Sequence, residues 1–187
     1  MDDIFSMTIK LTHETTPYVA RSIIETGEFV AGPILGDGGM NACIDGVSYN
    51  PDQAELAGAF LDFEWTGPIE SGARGEREPN VLYDERPHRA FIFVCTNKHL
   101  RLTGVRFREG HSWRNAVRIP SRPAGTELLS ALAWSEWIQT WSSKWLDKAS
   151  AALETTMLAR LESKPSVSIV PPKHCPYLFI LRERGLI

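Results

Sequence analysis

The side chains in this 187-residue chain with chemistry to offer are five histidines, three cysteines, a crowd of cations in its middle and carboxylates set on alternating positions. His13, His88, His99, His111 and His174 show no HxxxH or HxH spacing and no His/Cys pair at ligand distance, so the sequence predicts no metal site. Cys43, Cys95 and Cys175 are odd in number and far apart, which excludes a disulfide framework and a CxxC cluster. Cys43 sits among Met40, Ala42 and Ile44, where a small buried thiol is the expectation. No GxxxxGK[ST], GxGxxG or GxSxG occurs, and Gly36-Asp37-Gly38-Gly39 reads as a turn. What remains is His13, at the end of an alternating segment in Leu11-Thr12-His13-Glu14-Thr15-Thr16-Pro17, and the basic middle of the chain.

The net charge of -3 hides a division. Residues 1–85 carry 4 Lys/Arg against 16 Asp/Glu, whereas residues 86–122 carry 9 Lys/Arg against the single acid Glu109. Clustered arginines raise the local concentration of phosphates, which makes Arg101, Arg106 and Arg108 anion-binding candidates for a nucleotide or a nucleic acid. The alternative is mutual neutralisation, with the basic strands lying beside the acidic first half, and Arg binds carboxylate as readily as phosphate.

These residues need elements to hold them. From Ile4 to Leu11 the residues Phe5, Met7, Ile9 and Leu11 alternate with polar ones and predict a strand, followed by a turn containing His13 and a helix with Thr16 as cap, Pro17 at its first position, Val19, Ala20, Ile23 and Ile24 on one face and Gly27 as its stop. Gly32 to Gly46 reads as loop, Pro51 to Phe60 as a second short helix, and Leu61, Phe63 and Trp65 as a second strand. Gly67 to Pro79 reads as a mobile loop. Ala90 to Cys95 predicts a buried strand, Leu100, Leu102, Val105 and Phe107 another kinked at Gly104, and Val117 with Ile119 a short third. Residues 126–164 lack Gly and Pro and repeat Trp134, Trp137, Trp141 and Trp145 at helical spacing, and Tyr177 to Leu181 predicts a last strand.

The expected fold is therefore a single α+β domain over residues 1–187. It has a mainly antiparallel sheet of short strands, short N-terminal helices and a long Trp-rich C-terminal helix whose indoles pack on the sheet. A homodimer or captured protein on the tryptophan face is the sharper alternative. With no apolar run of about 18 residues and an acidic Met1-Asp2-Asp3 start, the chain is expected to be cytoplasmic and free of membrane.

A strand ending in His13-x-Thr15, a helix with Ala20, Ile23 and Ile24 inward, and the exit Gly27-Glu28-Phe29 resemble the opening of the ADP-ribosyltransferase superfamily, which includes poly-ADP-ribose polymerases and bacterial toxin relatives. The resemblance covers about a sixth of the chain. It implies NAD as cofactor, with His13 and Thr15 on the ADP-ribose half, Tyr49 stacking on nicotinamide and a glutamate orienting the ribose. A neutral imidazole suits a ribose hydroxyl, and an aromatic face suits the cationic ring. Glu14 stands where the family has glycine, and His174-Cys175-Pro176 stands where its glutamate precedes the final strand. Glu64 is then the named catalytic carboxylate, with Glu127 as substitute, since an oxocarbenium-like ribose is stabilised by nearby negative charge. The implied activity is transfer of ADP-ribose to a protein or nucleic acid.

Overall fold

A computed structural model describes residues 8–31, 38–44, 58–71, 78–85, 89–94, 98–117 and 128–171, without the side chains of residue 85 and residues 128–142. The fold is α+β. Seven strands form one sheet in the order β5-β6-β7-β3-β1-β4-β8, and two more, β2 and β9, pair apart from it. They are β1 (Ile9–Thr15), β2 (Glu28–Val30), β3 (Gly39–Ile44), β4 (Ala59–Trp65), β5 (Ile69–Ser71), β6 (Leu82–Glu85), β7 (Arg89–Phe93), β8 (Leu100–Phe107) and β9 (Ser168–Val170). Helix α1 spans Pro17–Thr26 and helix α2 spans Leu128–Ser163, and a 3-10 turn at Trp113–Ala116 follows β8. Pairing in the large sheet is antiparallel except between β5 and β6, and β2 runs parallel to β9.

Helix α1 forms where its local signals place it. The Thr16 hydroxyl accepts from Val19 N–H, Pro17 opens the helix, and Gly27 closes it at φ 72° in the left-handed region. Its buried stripe of Ala20, Ile23 and Ile24 lies on the sheet face that carries Leu11, Leu61, Phe63, Trp65, Leu100 and Leu102. Full burial of side chains such as Phe63 and Trp65 contributes about 1.5–3 kcal/mol each. Helix α2 joins the same core through Leu153, Met157 and Leu161. The indole of Trp145 is 42% exposed, so it does not pack on the sheet as expected, and those of Trp134, Trp137 and Trp141 lie outside the described residues.

Several expectations are corrected. β1 runs on to Thr15, so His13 lies within the strand instead of in a turn, and Val19 is exposed instead of sharing the buried face of α1. The glycine-rich stretch read as loop contains β3, a central strand between β7 and β1. Its first residue must be glycine, because a Cβ at Gly39 would collide with the carbonyl of Ile92 and the ring of Phe91. Ala59 and Phe60, assigned to a helix, begin β4 and continue its alternation, while residues 51–57 lie outside the described set. Part of the expected 67–79 loop is β5, held by parallel pairing to β6. Val117 follows the 3-10 turn instead of starting a strand, and Ile119 and Tyr177 to Leu181 lie outside the described residues.

The kink at Gly104 is a β-bulge. Asp62 pairs with Gly104 while the next residue, Phe63, pairs with Leu102, so β8 carries one extra residue there. That residue resets the alternation: Leu100 and Leu102 face the core before it, and Val105 and Phe107 pack against the core after it. Arg106 and Arg108 are thereby turned to the other face of the sheet. No helix among the described residues is long and apolar enough to cross a membrane.

Candidate functional site

Alternation along β1 divides the predicted site between two faces. Leu11, His13 and Thr15 share the helix-covered face, and Lys10, Thr12 and Glu14 point the opposite way. His13 is half-buried, and its Nδ1 lies 2.6 Å from the carbonyl oxygen of Asn41 on β3. Its ring meets Phe29 edge to face, with centroids 4.8 Å apart at 87°. Phe29 is fixed by β2, where it pairs with Ile169 of β9. Burial holds the imidazole below its ordinary titration range, and the bond to Asn41 opposes that only in part. The ring is therefore neutral at pH 7. A carbonyl only accepts, so Nδ1 carries the proton and Nε2 keeps a lone pair. Nε2 has no hydrogen-bond partner among the described residues. Thr15 lies two positions further on the same face, opposite Ala59 of β4.

The opposite face carries a chain of charges. Asp62 on β4 receives Arg106 Nε at 2.6 Å on one oxygen, and Arg106 Nη2 at 2.7 Å and the Thr12 hydroxyl at 2.9 Å on the other. This fork holds Arg106 above its usual pKa, chiefly through the hydrogen bonds Arg106 donates to Asp62, with partial burial opposing and the carboxylate charge adding to the rise. Arg108 Nη2 donates to Glu14 at 3.0 Å, and both guanidiniums lie over Phe60, 5.4 and 5.8 Å from its centroid. The acidic first half thus neutralises Arg106 and Arg108. Arg101 is exposed on the same edge strand, opposite Glu64, which also faces Lys10.

The structure brings Arg106 and Arg108 together, with Arg101 a few residues along the same strand, and it brings His13 together with Thr15. Glu64 does not join His13. Its odd-numbered neighbours Leu61, Phe63 and Trp65 fill the core, so strand alternation sends its carboxylate to the face opposite the imidazole. Tyr49 and Glu127 lie outside the described residues. Sequence reasoning missed Asn41, which joins the two faces: its backbone oxygen accepts from His13, while its side-chain oxygen accepts from Arg89 Nε and Nη2 at 3.1 and 2.6 Å. It also missed Thr12 and Asp62, although Asp62 and Glu64 alternating with aromatic residues were visible in the sequence. Among the described residues no three His, Cys, Asp or Glu side chains gather as a metal site would require. Compared with protein-family models, curated proteins and solved structures, the chain matches none, so what the site can do must be argued from its own residues.

Proposed function

We propose that the chain binds the ADP-ribose half of NAD, or a closely related nucleotide, at the end of β1, with His13 and Thr15 as the contacting residues. The observation that supports this is the state of His13. Its proton is committed to Asn41, its ring is braced by Phe29, and Nε2 is left as a neutral acceptor suited to a ribose hydroxyl. The order of strand, capped helix and Gly27-Glu28-Phe29 exit supports the same reading. Transfer of ADP-ribose to a protein or nucleic acid is the activity such binding would serve. It requires a carboxylate on the His13 face, and Glu64 is on the other. Nucleic-acid binding through Arg101, Arg106 and Arg108 ranks behind, because two of the three already face carboxylates.

Thermal unfolding tests the proposal. A ligand at tenfold its Kd adds about 1.4 kcal/mol, a rise of roughly 3–6 °C for a chain of this size. NAD and ADP-ribose should both produce that rise, nicotinamide alone should not, and His13→Ala should abolish it in protein that circular dichroism shows to be folded. Should His13→Ala fail to fold, Thr15→Val takes its place. No rise with millimolar NAD or ADP-ribose refutes the proposal.

A further inference from the structure

A cavity of about 520 Å³ opens where the C-terminal ends of α1 and α2 meet β9. Its lining includes Arg160 from the last turn of α2 and Lys164 just after it, Ser166 and Ser168 at the entry to β9, and Gly27 and Glu28 where α1 passes into β2. We propose that it is a binding site for a small phosphate monoester, separate from the His13 site and independent of the nucleotide reading.

The donor set carries the argument. Arg160 uses Nη2 to hold the carbonyl of Glu25 at 3.2 Å, which anchors the side chain at the cavity while its other N–H groups have no partner among the described residues. Lys164 and the hydroxyls of Ser166 and Ser168 likewise have no side-chain partner there. Four donor side chains from two segments, two of them cationic, exceed what the two oxygens of a carboxylate commonly engage. They suit the three terminal oxygens of a phosphate, which take charge-assisted bonds from Arg and Lys together with hydroxyl donors. Glu28 is the one carboxylate in the lining, and it is an acceptor for the hydroxyls of an esterified polyol, not for the phosphate itself. Its negative charge leaves a balance of one positive charge among these side chains. The volume exceeds that of bare phosphate, leaving room for such a polyol.

Backbone geometry shapes the cavity wall. Gly27 adopts φ 72°, in the left-handed region that favours glycine, where α1 turns into β2. The segment itself is tied down: Ser168 N–H donates to Gly27 O at 2.9 Å, and Leu102 N–H donates to Pro165 O at 2.7 Å. The donors are thus presented from a fixed frame.

The test is an NMR titration of the full chain with glycerol 3-phosphate and with inorganic phosphate, against sodium chloride at matched ionic strength. The proposal expects saturable shifts of the Gly27, Ser166 and Ser168 amides with glycerol 3-phosphate, absent with chloride. Lys164→Gln should weaken binding about tenfold, the scale of one charge-assisted hydrogen bond. Lys164 is exposed, so this variant is chosen to keep the fold, and Ser168→Ala is the second variant. Shifts that never saturate, that chloride reproduces, or that survive both substitutions unchanged overturn the proposal. Loss of NAD binding in His13→Ala, with the phosphate shifts intact, would leave this site standing.

Discussion

Protonation of His13 should set the pH dependence of folding on the acid side of neutrality. The unfolded chain takes up a proton on this imidazole as pH falls through its ordinary value of 6.5, whereas the folded chain resists because burial lowers the folded value. Below 6.5 the unfolded state therefore binds more protons than the native one, and stability rises with pH. The contribution is complete above 6.5 and is lost as pH drops toward the folded value, with a slope approaching about 1.4 kcal/mol per pH unit for one proton. His13→Gln removes the titrating group. It also removes the ring edge against Phe29 and alters the bond to Asn41, a pH-independent cost of about 1–3 kcal/mol. The assay is urea unfolding at half-unit steps from pH 5.5 to 8, comparing the two proteins at constant m. Every other side chain is common to both proteins, so its effect cancels in the difference. We expect the gap between wild type and His13→Gln to narrow steadily below pH 6.5. Parallel curves, or His13 ring signals titrating at or above 6.5, would refute the reasoning.

Three further outcomes follow from the same geometry. Gly39→Ala should cost more than about 2 kcal/mol in urea unfolding, because the new methyl meets the backbone carbonyl of Ile92 and the Phe91 ring, neither of which can move without disturbing β7. Asp62→Asn should cost only about 0–1 kcal/mol, since Arg106 is more than half exposed, and the difference should vanish in 1 M salt; a loss above 3 kcal/mol would mean that the Thr12–Asp62–Arg106 chain is a folding requirement. Deleting Thr103 should leave a protein with a native near-UV circular dichroism spectrum, because removal of the extra residue sets Leu102 and Val105 two positions apart on one face and keeps Arg106 and Arg108 off the core; a deletion variant that fails to fold would contradict the bulge.

Where short-range rules decide conformation, the amino-acid order alone was sufficient. The cap, proline and glycine around α1 and the two-residue period of β4 rest on contacts within a few positions and are found where those rules place them, while β1 keeps its period but spans Ile9–Thr15 instead of ending at Leu11. Even the bulge left a trace, in the three-residue gap between Leu102 and Val105. Partner choice depends on neighbours remote in the chain, and there the order was silent. β3, which follows a run of glycines, becomes a central strand only because β1 and β7 supply hydrogen bonds on both its edges, and β9 finds β2 from more than a hundred residues away. Charge behaves the same way: an Arg-rich segment and an acidic half are legible as composition, but whether they attract a ligand or each other is decided by the register that sets Asp62 and Glu14 beside Arg106 and Arg108. The same register puts His13 and Glu64 on opposite faces, since side chains an odd number of positions apart across paired strands cannot share a surface.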